Sequence, residues 1–80
     1  VERMKDLILT IVAPLVDHPE HLEIDVEEND DSVTYKLMLH SDDMGKVIGK
    51  QGRVAKSIRT VVYAAAGSHE KKRVFLEIAE

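Results

Sequence analysis

Apolar residues at Met4, Leu7, Ile8, Ile11, Val12, Leu15 and Val16 return every three or four positions near the start of the chain. That spacing predicts an amphipathic helix that buries one stripe. Pro14 falls near its end, where a missing N–H and a bulky ring kink or stop the last turn. The period then changes. Leu22, Ile24 and Val26 alternate with Glu23, Asp25 and Glu27, the pattern of a strand with one wet face. Asn29-Asp30-Asp31 supplies turn chemistry, and a second alternating strand runs from Val33 to Leu39. Together these predict an antiparallel hairpin.

Beyond the hairpin, Ser41-Asp42-Asp43 reads as a helix start, capped by a serine or an acid, with Met44, Val47 and Ile48 as apolar contacts. Gly49 and Gly52 keep that helix short. A longer one is predicted from about Arg53 to Ala66, with Val54, Ile58, Val61, Val62 and Ala65 inward and Gly67 placed to end it. Arg73 to Ile78 reads as a closing strand. The order is helix, strand, strand, helix, helix, strand, without repeat, low-complexity tract or linker, so the expectation is an α+β fold in one domain over residues 1–80.

Composition narrows the class. Eighty residues are near the lower end of what folds on a hydrophobic core alone, and the chain has no cysteine, hence no disulfide and no thiolate metal site. The longest apolar run falls far short of the roughly 20 residues that span a bilayer, and the first segment mixes acids into its apolar residues, unlike a signal peptide. The expectation is a cytoplasmic protein with no membrane partner.

Charge is where the chain becomes informative. It holds 11 basic and 15 acidic residues, a formal net charge of −4. Five of the basic residues, Lys46, Lys50, Arg53, Lys56 and Arg59, lie between Gly45 and Arg59, a stretch with no acid, whereas Asp17 to Asp31 holds eight acids and no base. Binding responds to local potential, since screening cuts off distant charges over about 8 Å at physiological salt. An acidic chain can therefore carry a site for a polyanion.

The site has a specific frame. Gly49-Lys50-Gln51-Gly52 joins the short helix to the long one, just where the second helix has unpaired N–H groups and the positive end of its dipole, both favourable to an anion. Glycines at both ends of the turn let a sugar-phosphate backbone come close. Lys50 and Gln51 add a charge and an amide at the tip, and Arg53, Lys56 and Arg59 continue the positive stripe. Neither nucleotide motif fits. A P-loop needs G-x-x-x-x-G-K-[ST], but one residue too few separates Gly45 from Gly49 and glutamine stands where the hydroxyl belongs. The G-x-G-x-x-G dinucleotide pattern is absent as well.

The run VIGKQGRVAKSI, Val47 to Ile58, closely resembles the core of a KH domain: a hydrophobic pair, G-x-x-G, then an amphipathic helix. The helix and strand placed before that core are those of the type II arrangement, and the chain as a whole is similar to the KhpA family of small, single-domain bacterial KH proteins. The resemblance implies a three-stranded mixed sheet backed by helices and a narrow cleft for about four unpaired nucleotides. It implies that Gly49, Lys50, Gln51 and Gly52 grip the RNA backbone. Val47, Ile48, Val54 and Ile58 are expected to form an apolar floor under the bases, with the last strand as the far wall. Charge and spacing add Lys46, Arg53, Lys56 and Arg59. The resemblance also implies RNA chaperone or post-transcriptional regulatory work with consequences for cell shape. Its implied partners are single-stranded RNA, a second copy, and a larger KH protein of the KhpB kind.

The remaining features add little chemistry. Aromatic residues number three, which argues against a stacking platform; Tyr35 and Phe75 read as packing residues within strands. His18 and His21 form an H-x-x-H around Glu20, but His40 and His69 are not evidently near, so the pattern reads as a solvated loop with no metal. No serine, histidine and acid are set up for catalysis, so no enzyme, cofactor or small-molecule substrate is expected. Val61, Val62, Ala64, Ala65 and Ala66 are more apolar than one stripe requires. They either pack small side chains on the sheet or, with Tyr63, present a partner face. The competing reading is accordingly a protein adaptor with a vestigial cleft, working through Val61, Val62 and Tyr63.

Overall fold

A computed structural model describes residues 2–69 and 71–79. Helix α1 (Glu2–Val12) stops as the sequence predicts, because Ala13–Leu15 tightens into a 3₁₀ turn at Pro14. A second 3₁₀ turn, Pro19–His21, leads into β1 (Glu23–Glu28), which turns into β2 (Ser32–Met38). The Asn29 N–H donates to the Ser32 carbonyl at 2.8 Å and closes that hairpin. A 3₁₀ turn at Ser41–Asp43 opens α2 (Met44–Ile48), and Lys50–Gly52 forms another before α3 (Arg53–His69). The last strand, β3, runs from Arg73 to Ala79.

The sheet order is β1-β2-β3, with β1 antiparallel and β3 parallel to β2. A parallel neighbour cannot be reached by a tight turn, so the chain crosses over through α2 and α3. This crossover is what carries the glycine pair. Val26, Tyr35 and Leu76 stand side by side across the three strands, as do Ile24, Leu37 and Ile78, so one face of the sheet is apolar. On it pack Met4, Ile8, Val12 and Val16, then Val47 of α2, then Ile58, Val62 and Ala66 of α3. Each fully buried aliphatic side chain in such a layer contributes about 1.5–3 kcal/mol. The opposite face carries Glu23, Asp25, Glu27, Lys36 and Glu77, all exposed.

Four expectations need correction. Phe75 is 46% exposed, on the outer face beside Thr34, because its neighbour Leu76 takes the inward position opposite Tyr35. Three successive apolar residues, Val74-Phe75-Leu76, made the strand's parity ambiguous. Leu15 is 39% exposed, since the 3₁₀ turn rotates it off the α1 stripe. Val61 is 50% exposed rather than inward; Ala55, Ile58, Val62 and Ala66 form the core-facing line at helical spacing. Finally, α3 runs through Gly67 to His69, so that glycine does not end it.

Candidate nucleic-acid interface

The turn between α2 and α3 is built on positive backbone angles. Gly49 ends α2, its N–H donating to the Gly45 carbonyl at 2.8 Å, and adopts φ 73°, ψ −177°. That region is accessible almost only to glycine. A Cβ there would collide with the Val54 side chain, whose own Cβ would lie 2.9 Å away. Gly52 also has φ 73°, but faces open space. Between them Gln51 takes φ 56°, ψ 28°, the one non-glycine residue with positive φ among the described residues. The turn delivers the chain directly into the first turn of α3, where the helix dipole adds positive potential.

Around it the five cations divide. Lys50, Arg53 and Lys56 are exposed and have no acidic partner among the described residues. Lys50, Gln51 and Arg53 together line a cavity of about 330 Å³. Lys46 is engaged elsewhere: its ammonium donates to the Asp17 carboxylate and lies 4.0 Å from Asp43. The hydrogen bond to Asp17 holds its pKa above the ordinary lysine value, against partial desolvation. Arg59 turns to the sheet, where its Nε donates to the Leu76 carbonyl at 3.2 Å. Neither Lys46 nor Arg59 belongs to the open group that the charge pattern suggested.

The apolar positions divide as well. Val47 and Ile58 are buried in the core and cannot touch a base, which corrects the expected floor; they support it from beneath. Ile48, 36% exposed, and Val54, half-buried, are the accessible pair beside the turn. The outer edge of β3 lies along α3. There the Leu76 N–H donates to the Tyr63 hydroxyl at 3.2 Å while its carbonyl accepts Arg59, so two side chains of α3 satisfy both polar groups of one strand residue. Strand alternation puts the N–H and C=O of Val74 and Ile78 on this same edge. Tyr63 is thus committed to the edge by its hydroxyl, and Val62, fully buried, is withdrawn from the expected partner face.

The base of α2 is held by Asp43 in a role different from the cap expected of it. Asp43, expected only as a possible helix cap, makes no such bond and is fully buried. Its two carboxylate oxygens instead accept the N–H groups of Asp17 and His18, each at 3.0 Å. Burial alone would push its pKa up; the two N–H donors, with His18 and Lys46 nearby, outweigh it and hold the carboxyl below the ordinary aspartate value. His40 supplies the cap of the Ser41–Asp43 turn, its Nδ1 accepting the Asp42 N–H at 3.0 Å. His40, which was not expected near the H-x-x-H, does reach it: Asp43 accepts the His18 N–H, and His18 stacks on His40 with ring centres 4.3 Å apart. The side chain of His69 lies outside the described residues.

A helix, a hairpin, a short helix joined to a long one by a G-x-x-G turn, and a parallel closing strand define a KH domain in the type II arrangement. Comparison with known families agrees: the model described as the KH domain of KhpA and KhpB matches residues 5–78, and the chain belongs to that family. Among its relatives, an RNA-binding protein KhpA of Listeria monocytogenes is 61% identical over 77 residues, covering 96% of this chain and all of the relative. The proteins of that name in Oceanobacillus iheyensis and Bacillus subtilis are 55% and 51% identical, covering 94% and 96% of this chain and 99% and 94% of their own.

Proposed function

We propose that this protein binds single-stranded RNA without catalysing a reaction on it, using the Gly49–Gly52 turn as a clamp on the sugar-phosphate backbone. The observation that carries this reading is the turn itself. Two glycines and Gln51 are held at positive φ at the head of α3, beside three cations with no acidic partner among the described residues. The N–H groups of Gly49 and Gly52 are spent on Gly45 and Gly49, so the tip residues Lys50 and Gln51 offer the N–H groups for a phosphate, and neither glycine puts a side chain in its way. Ile48 and Val54 form the apolar surface next to it, and the outer edge of β3 offers main-chain groups for bases, in a cleft for about four nucleotides. The name shared by relatives at about half to three-fifths identity, RNA-binding protein KhpA, supports the same reading.

One domain makes few phosphate contacts, so affinity is modest and salt-dependent, with a slope of about 0.7 per neutralised phosphate. Work as an RNA chaperone or post-transcriptional regulator follows from the family resemblance, and so does pairing with a second copy or with a KhpB-like protein. The surface for that pairing is the outward side of α3 at Val61 and Ala64, both exposed. Two clefts in one assembly raise avidity without any new contact. Titration of labelled RNA and DNA single strands and of duplex RNA tests the function. Single-stranded RNA is expected to bind most tightly; equal binding of all three would reduce the site to a non-specific cationic patch.

A further inference from the structure

His18 and His21, three residues apart, meet the distant His40 at the foot of α2. His18 stacks on His40 with ring centres 4.3 Å apart, and the edge of His21 meets His40 at 4.9 Å. Asp42 lies between the first two: its Oδ2 is 3.8 Å from His18 Nε2 and 3.6 Å from His40 Nδ1. One donor atom from each of His18, His40 and Asp42 falls within 4.8 Å of the others. Ligands on a tetrahedral zinc ion, at bonds of about 2.0–2.1 Å, stand roughly 3.4 Å apart. Turning the two stacked rings out of their stack, so that both nitrogens face one point, brings this set to coordination distance, and two imidazoles with one carboxylate is a donor set of the zinc class rather than of calcium or magnesium.

We propose that His18, His40 and Asp42 form a binding site for a divalent transition-metal ion of the zinc class, with water in the fourth position and His21 at the rim. The surroundings suit a cation. Glu20 lies 3.5 Å from His18 Nδ1, where it can accept that nitrogen's proton and leave Nε2 to the metal. Coordination through His40 Nδ1 gives up the bond it now accepts from the Asp42 N–H. That donor is exposed, so water replaces the lost acceptor. All three ligands are solvent-accessible, with His18 and His40 half-buried and Asp42 exposed, so the ion has an entry path. Occupancy would tie the loop before β1 to the junction that opens α2. The site stands independently of RNA binding, since none of its ligands belongs to the Gly49–Gly52 turn.

Calorimetric titration of the untagged protein with Zn²⁺, and separately with Mg²⁺, tests this. The expected result is one Zn²⁺ per chain, a higher Tm with Zn²⁺, and no response to Mg²⁺. His18→Gln and His40→Asn are each expected to weaken Zn²⁺ by at least about tenfold, the loss that even an outer-sphere partner's removal causes. Asn keeps an acceptor for the Asp42 N–H, so His40→Asn leaves the turn capped. On the unsubstituted protein, Zn²⁺ is expected to shift the ring resonances of His18 and His40 ahead of that of His69. Absence of Zn²⁺ binding, equal binding of Mg²⁺, unchanged affinity in both folded variants, or a first response at His69 would each overturn the proposal.

Discussion

Gly49 leaves no room for a β-carbon beside Val54, a half-buried residue in the first turn of α3. The turn and the helix it feeds are therefore fitted to each other by the absence of one atom. Gly49→Ala has to move Val54 and hold alanine in a region that costs non-glycine residues about 1–3 kcal/mol. Gly52→Ala meets only the conformational penalty of positive φ, about 1–2 kcal/mol, because nothing lies within 4 Å. Urea denaturation of both variants is expected to give the larger loss for Gly49→Ala.

Tyr63 joins α3 to the edge of β3 through its hydroxyl. In Tyr63→Phe the ring stays and the acceptor for the Leu76 N–H is lost, at a cost of about 0.5–1.5 kcal/mol. Hydrogen exchange at the Leu76 amide is expected to quicken relative to the central strand. A surface tyrosine with no structural role would leave both quantities unchanged.

Because Lys46 is occupied by Asp17 and Lys50 and Arg53 are not, the three should differ as phosphate ligands. Neutralising Lys50 or Arg53 with glutamine is expected to weaken RNA binding and lower the salt slope by about 0.7 each. Lys46→Gln should leave the slope unchanged within error. Fluorescence anisotropy at four or more salt concentrations would separate them.

The lowered pKa of Asp43 carries a signed dependence on pH. A carboxyl that is more acidic in the folded protein than in the unfolded chain contributes stability that is complete above the ordinary aspartate value of about 4. That contribution is lost as pH falls through the folded value. Asp43→Asn keeps the shape but loses the charge that attracts two N–H donors, so its Tm should fall by several degrees at pH 7. The gap to the parent protein should narrow towards pH 3. A constant gap would mean the charge of Asp43 contributes nothing.

Much of this fold was legible because period and punctuation agreed. The stripe Met4-Ile8-Val12, the alternation Leu22-Ile24-Val26 and the stop at Pro14 each point to one answer. Where the pattern was redundant it failed: Val74-Phe75-Leu76 is apolar at both parities, and Val61-Val62 offers two candidates for one inward position. The glycine turn was visible from its spacing and its cations, but not the division among those cations. That division depends on acids 29 residues away, as in Lys46 with Asp17, and on strand edges that exist only once the chain has folded. Asp43 and His40 were hidden for the same reason. No local pattern marks a buried aspartate that holds a distant loop, or a histidine that meets another across the fold.

The most direct test of the account is binding of short single-stranded RNA to the parent protein and to a Lys50→Asp, Gln51→Asp double variant across a salt series. Circular dichroism must first show the two equally folded. Both side chains are exposed, and the change leaves both glycines in place. The account predicts that the variant loses measurable binding at physiological salt and shows a shallower slope wherever binding persists. Equal affinity and equal slope in the two proteins would contradict it, and would move the working surface to the outward side of α3 at Val61.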